Sequence, residues 1–222
     1  MAMCGRFALA ASAEDIRLSF GVEVSELEPR YNIAPSQGVL LIASSRDGII
    51  ATRSTWGIRR SDGGLLINIR SETAGEKPHF RRMLERGRCI VPASGFFEWA
   101  QRSTRQPYYV FAEDSPLIAF AAVCTSDTDP SSGMPMTRCA ILTRAANERV
   151  AALHHREPVV VPFALLDHWL NPDITGTDAL AMILAMPARW RYHAVSSRVG
   201  RVSNDDPHLL DPIDEPEPPL LG

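Results

Sequence analysis

Apolar residues in this chain come in short runs separated by turn residues, and that spacing constrains the fold more than any other feature. Val39–Ala43 is apolar, Asp47-Gly48 is a hairpin signal, and Ile49–Trp56 resumes a strand pattern. Leu65–Ile69 reads as another short strand. Further strands are expected at Cys89–Val91, Phe96–Trp99, Tyr108–Phe111, Leu117–Cys124, Cys139–Thr143 and Val159–Val161. Helical patterns are fewer. Ser12–Phe20 opens on Ser12 with Asp15 three residues on, a capping arrangement. Pro78–Arg86 starts on a proline and stops at Gly87. Ala145–Leu153, Phe163–Leu170 and Asp178–Ala185 complete the helices, with Asn171-Pro172 ending the second of these. Strands in runs with unevenly interspersed helices predict an α+β fold, its largely antiparallel sheet barrel-like and flanked by helices.

Length and charge refine this. The 222 residues suit one domain over 1–212, followed by an acidic, Pro-rich tail over 213–222 that is expected to be disordered. No apolar run approaches the roughly 20 residues that span a bilayer. The N-terminus lacks a secretion signal, so a cytoplasmic setting is expected. Cys4, Cys89, Cys124 and Cys139 form no CxxC pair, which argues against structural zinc and, in a reducing compartment, against disulfides. The net charge of −3 hides an asymmetry. Six of the 26 acids lie beyond Asn204 and no base does, so residues 1–204 hold 20 acids against 23 bases. All of those bases but Lys77 are arginine. Arginine's planar fork suits phosphate, although a GC-rich genome also favours its codons. A mildly basic body is compatible with nucleic acid without demanding it. Nothing points to an oligomer, and a monomer is expected.

Four local constellations carry candidate chemistry. Cys4-Gly5-Arg6-Phe7 places a cysteine near the start of the chain. If the preceding residues are removed, Cys4 carries an α-amine with a pKa of roughly 8 beside its thiol. Such an aminothiol attacks an aldehyde through nitrogen and closes a thiazolidine ring through sulfur. A buried structural cysteine is the simpler reading of those four residues alone. In Leu66-Ile67-Asn68-Ile69-Arg70, alternation puts Asn68 and Arg70 on one face, and Asn68 offers both a donor and an acceptor. A turn Asn and an exposed Arg are the plainer alternative. Gly95-Phe96-Phe97-Glu98-Trp99 sets a carboxylate among aromatics, either buried as a general acid or base or facing outward from an amphipathic strand. His154-His155-Arg156-Glu157-Pro158 puts a histidine at a helix–strand junction, where it can exchange a proton near neutral pH. Adjacent side chains point apart and no third ligand is in view, so no metal is expected at the His pair.

In chain order, Cys4-Gly5-Arg6-Phe7, Arg30-Tyr31-Asn32-Ile33-Ala34-Pro35, Trp56-Gly57, Asn68-x-Arg70-x-Glu72-Thr73, Gly95–Trp99 and His154-x-Arg156-x-Pro158 resemble the SOS-response-associated peptidase (SRAP) family. The matches run from Cys4 to about Pro212. Each motif is weak alone, and six in order are specific. The resemblance implies a protein that senses abasic sites in single-stranded DNA and shields them by a thiazolidine crosslink to its mature N-terminal cysteine. It also implies autoproteolytic release of the residues before that cysteine, and nucleoid association when DNA is engaged. By motif, Cys4 is the nucleophile, Asn68 positions amine and sugar, Glu98 transfers protons and His154 is the acid/base. Arg6, Asn32, Arg70, Trp99 and Arg156 are the implied DNA contacts. No cofactor is implied, because the adduct is made from the chain's own N-terminus.

Three departures from the family pattern are visible. Met1-Ala2-Met3 precedes Cys4, whereas the family has one Met there. Trimming Met1 would expose Ala2, so Cys4 needs either self-cleavage after Met3 or a start at Met3. Trp56-Gly57 continues into Ile58-Arg59-Arg60 and a polar turn instead of reaching a second Trp, leaving Arg59 and Arg60 as substitute phosphate contacts. Glu157 stands where the family often has Met or Arg, and an acid there is expected to repel phosphate. Two other functions fit the residues: an N-terminal-nucleophile peptidase or amidohydrolase acting on non-DNA substrates, and a noncovalent DNA-binding module.

Overall fold

The computed structural model describes residues 5–46, 48–100, 106–129 and 132–214. Cys4, Asp47 and the tail beyond Asp214 therefore lie outside the described residues. The described chain opens with β1 (Phe7–Leu9), buried throughout. Helix α1 (Ala13–Phe20) follows, capped as its sequence dictates: Ser12 accepts from the Asp15 N–H while Asp15 accepts from the Ser12 N–H. Then come β2 (Arg30–Ile33), β3 (Gly38–Ser45) and β4 (Gly48–Trp56). A small ribbon, β5 (Ile58–Arg59) and β6 (Leu65–Leu66), leads to β7 (Asn68–Arg70) and one turn of helix, α2 (Ser71–Ala74). Helix α3 (Pro78–Arg86) precedes β8 (Arg88–Ala93), β9 (Gly95–Trp99), β10 (Pro107–Ala112), β11 (Ile118–Thr128) and β12 (Pro135–Ala145). The remainder is α4 (Glu148–Ala151), β13 (Arg156–Pro158), α5 (Leu166–Leu170), α6 (Gly176–Leu184) and β14 (Trp190–Ala194). Among the described residues no helix is long and apolar enough to cross a membrane.

The fold is α+β with mostly antiparallel sheet. Strands β8, β3, β4, β12 and β11 close into a five-strand barrel, because β11 pairs with both β8 and β12. The β4–β12 joint is parallel. The second sheet is open, in the order β14-β10-β9-β1-β2. Aromatic edges couple the two. Phe7 packs against Trp56 and Phe120 of the barrel at 5.1 and 5.9 Å, and Phe96 packs against Phe120 and Trp190 at 6.3 and 5.2 Å. Each such pair adds about 0.5–1.5 kcal/mol beyond its area burial. The buried Arg88 crosses from β8 to donate to the carbonyls of Leu84, Trp169 and Ile174, satisfying helix-end and loop acceptors that have no ladder partner.

Three expected elements take a different form. Leu65–Ile69 is split at Ile67, because the Ile67 carbonyl accepts from the Trp56 indole N–H at 2.9 Å and the Ile141 N–H at 3.0 Å. The helix expected over Ala145–Leu153 is one turn, Glu148–Ala151. Ala145 still belongs to β12, and the Asn147 side chain starts the helix by accepting from the Val150 N–H. The strand expected over Val159–Val161 lies instead at Arg156–Pro158. Val159 then leaves β12 for β11, where its carbonyl takes the Ala121 N–H at 2.8 Å.

Gly95 sits where strands crowd. A Cβ there would lie 2.5 Å from the Val110 carbonyl oxygen and 2.6 Å from the Tyr109 ring. Gly95→Ala is therefore expected to lower stability by roughly 1–3 kcal/mol. Urea unfolding of the variant checks this, and an unchanged midpoint would contradict the packing described.

Candidate active site and nucleic-acid interface

Strand alternation divides the candidate residues between the two faces of β9. Arg6 lies beside Phe97, whose N–H donates to the Arg6 carbonyl at 2.9 Å. Its guanidinium sits 6.0 Å from the Trp99 ring centroid and donates to Asn32 Oδ1 at 2.8 Å and to the Val199 carbonyl at 2.7 Å. Burial holds the Arg6 pKa below the usual arginine range, and its Nε has no hydrogen-bond partner among the described residues. Asn32 is fully buried. Its Nδ2 donates to the carbonyls of Val199, Arg201 and Asn204, the last at 2.7 Å. Both ends of its amide are thus spent within the protein. They tie β2 to the segment carrying Arg198 and Arg201, two exposed arginines that the sequence reading did not select.

Glu98 occupies the opposite face. It shares that face with Phe96, which packs against the barrel, and lies across from Tyr108 in register. At 5% exposure it is a buried side chain, not an outward-facing one.

The remaining candidates converge on β12. Its second half pairs with β7 on one edge, Asn68 opposite Ile141 and Arg70 opposite Thr143. The other edge pairs with β13, Thr143 opposite Pro158 and Ala145 opposite Arg156. Arg156 reaches across this rib. Its Nη2 donates to the Thr143 carbonyl at 2.7 Å and to Glu72 Oε2 at 2.7 Å, while Nη1 bonds Glu72 Oε1. The two-point contact holds the Glu72 carboxyl down at about 2, well below its ordinary value. Sequence reasoning placed Glu72 in a motif but missed this role. The signal was its position two residues after Arg70. The Arg70 side chain is exposed, and its guanidinium makes no hydrogen bond or ion pair among the described residues. His154 is 7% exposed and lies against His155, with ring centroids 4.3 Å apart. Its Nδ1 accepts from the Arg156 N–H at 3.1 Å, so the neutral ring carries its proton on Nε2. Burial moves the His154 pKa below the ordinary histidine value and favours that neutral form.

The family model described as SOS response associated peptidase (SRAP) matches residues 3–202. The chain belongs to this family. Among curated relatives, the "Abasic site processing protein YoqW" of Bacillus subtilis is 34% identical, with 94% of this chain and 99% of that protein covered. The "Abasic site processing protein YedK" of Escherichia coli is 31% identical, with 95% and 100% covered. A solved protein from Bacteroides thetaiotaomicron shares the fold at a TM-score of 0.81 and 22% identity, covering 95% of this chain and 100% of that one.

Two departures from the SRAP pattern read differently once placed. Glu157 points away from Arg156, as alternation requires, and is 2% exposed. It accepts from the Asn147 N–H at 3.0 Å and the Trp190 indole at 3.1 Å, and burial raises its pKa. It closes the turn that presents His154, and from there it does not face solvent phosphate. Arg59 ends β5 and Arg60 follows it, and each faces an acid, Asp127 at 3.8 Å and Asp62 at 2.5 Å. The Arg60–Asp62 pair is exposed and of the weak, exchangeable kind, whereas Asp127 is held chiefly by the buried Arg138 at 2.6 Å.

The Glu72 pKa gives a testable sign. A carboxyl whose folded pKa is depressed stabilises the fold above its ordinary value of 4.5, and that stability is lost as pH falls toward about 2. Glu72 is half exposed, so solvent screening reduces the contribution to on the order of 1 kcal/mol at pH 7. The stability gap between the natural chain and Glu72→Gln is expected to narrow as pH falls from about 5 to about 2 in urea titrations. A gap independent of pH would show that the ion pair contributes nothing.

Proposed function

We propose that this chain captures abasic sites in DNA and holds them as a covalent adduct of Cys4. The observation that carries this reading is the extent of the likeness. Relatives named for abasic-site processing align along 94–95% of the chain, and all six motifs are in place. The geometry supports it with a buried carboxyl at Glu98, a neutral histidine at His154, and a bidentate Arg156–Glu72 pair that joins the Asn68 and His154 motifs.

The chemistry follows from the substrate. An abasic sugar is mostly a closed hemiacetal, and only its open form is an aldehyde. Opening needs a proton at the ring oxygen, supplied by Glu98 in its acid form while the neutral His154 Nε2–H donates a hydrogen bond there. The neutral amine of Cys4 adds to the aldehyde carbon, and the resulting carbinolamine loses water to give an imine. The Cys4 sulfur then adds to the imine carbon and the amine nitrogen regains a proton, closing the thiazolidine. One water leaves overall. Asn68 orients amine and sugar. The same nucleophile releases Met1–Met3 by hydrolysis of the Met3–Cys4 peptide bond. Single strands are the favoured substrate, because the lesion must leave a stack to reach a buried acid. Arg70, Arg198 and Arg201 supply exposed positive charge for the backbone, and Trp99 a stacking surface. Asn32 acts by positioning Arg6, not by touching DNA. Arg156 meets a phosphate only by sharing or giving up Glu72.

Denaturing gels test the reading. The chain incubated with an abasic single-stranded oligonucleotide is expected to give an SDS-resistant band. Cys4→Ala should abolish it, and so should a tetrahydrofuran analogue that cannot open to an aldehyde. Glu98→Gln and His154→Asn are each expected to slow its formation by roughly 10²–10⁴-fold. A band that survives Cys4→Ala would overturn the proposal. Repeated peptide or amide turnover without an adduct would favour the hydrolase reading instead.

A further inference from the structure

Three thiols lie on adjacent strands away from the residues discussed so far: Cys89 on β8, Cys124 on β11 and Cys139 on β12. All three are free. Cys124 and Cys139 are direct register partners, and Cys89 faces Ala122, one diagonal step from Cys124. The Cys124 N–H turns to β8, donating to the Gly87 carbonyl at 2.7 Å. The Cys139 carbonyl turns the other way and accepts from the Gly57 N–H at 2.8 Å. A strand residue directs both its backbone groups to one edge. The Cys124–Cys139 pair is therefore of the non-hydrogen-bonded kind, in which Cα atoms approach to about 4.5 Å and side chains lie close. That separation falls within the roughly 4.4–6.8 Å that a disulfide spans.

Access is uneven. Cys89 and Cys139 are fully buried, whereas Cys124 is half-buried and lines a pocket of about 470 Å³ with His79, Arg82 and Arg86 around it. The arginines line the pocket through which a peroxide would reach the sulfur. The Cys89 thiol donates a hydrogen bond to Cys124 and lowers its pKa. Burial pushes Cys139 up to about 12 and keeps it a thiol until it reacts.

We propose that Cys124 is a peroxide-reactive thiol and that Cys139 resolves it into a cross-strand disulfide. The Cys124 thiolate attacks one peroxide oxygen and the O–O bond breaks. The other oxygen leaves as alcohol or water after taking a proton, and Cys124 becomes a sulfenic acid. Cys139 sulfur then attacks the Cys124 sulfur, the S–O bond breaks, and the departing hydroxyl takes the Cys139 proton to leave as water. Two thiols and one peroxide give one disulfide, one alcohol or water, and one water. The two electrons pass from the sulfurs to the O–O bond.

The test uses the full chain, dilute hydrogen peroxide, alkylation of remaining thiols and non-reducing peptide mapping by mass spectrometry. The expected product is a linked pair of peptides carrying Cys124 and Cys139, with Cys4 read separately on its own peptide. In Cys139→Ser, dimedone should label Cys124 at least tenfold faster than Cys89. In Cys124→Ser neither a linked pair nor a label at residue 139 should form. Circular dichroism confirms that both variants fold. A bridge between Cys89 and Cys124, or a Cys124 no more reactive than Cys89, would overturn the proposal.

Discussion

A barrel strand must satisfy the backbone groups of both its edges, and β12 does so with four partners. One edge is paired with β4 at Arg138 and Cys139 and with β7 from Ile141 onward. The other passes from β11 at Ile141 to β13 at Thr143. Orphaned backbone groups are costly in the interior, so each handover fixes where the incoming strand can lie. That requirement sets β7, with Asn68, and β13, with Arg156, on opposite edges of β12, their pairings overlapping at Thr143. The two distant motifs reach the same strand because a ladder needs them there, and they touch through Glu72 and Arg156.

Charge completes what the ladder begins. Arg156 is nearly buried, and a buried guanidinium without an acceptor would cost several kcal/mol. Glu72 and the Thr143 carbonyl supply acceptors from both sides of the rib. Because the Arg156 N–H also fixes the His154 ring, one ion pair orients the cation and, through its backbone, the histidine tautomer. Glu157, on the other side of β13, secures the preceding turn through Asn147 and Trp190. Its burial explains how an acid stands next to Arg156 without facing phosphate.

Much of the fold was legible in the sequence where local chemistry decides it. The Ser12–Asp15 capping box, the Pro78 to Gly87 helix and the strand pair flanking Asp47-Gly48 all lie where their residues place them. What was not legible depended on distant partners. The break at Ile67 exists because Trp56 needs an acceptor for its indole. The short helix after Ala145 exists because Ala146 bonds the His155 carbonyl, folding the chain back at once. Period-two alternation already puts Trp99 and Glu98 on opposite faces of β9, but the motifs did not place Arg6 and Asn32 on the Trp99 side. Nor did they reveal that Asn32 spends its amide on the backbone of residues 199–204. Such roles follow from registers and carbonyl positions that only the tertiary structure sets.

The closed barrel, the ribbed strand and the paired arginine make the frame, and the functional account rests on what the start of the chain becomes. Intact-mass spectrometry reads it directly. The account requires a mature chain whose first residue is Cys4, and after exposure to an abasic oligonucleotide that mass should rise by one oligonucleotide less one water. A chain that retains Met3 and takes up no DNA, or one that begins at Cys4 and still gains no mass, would contradict it.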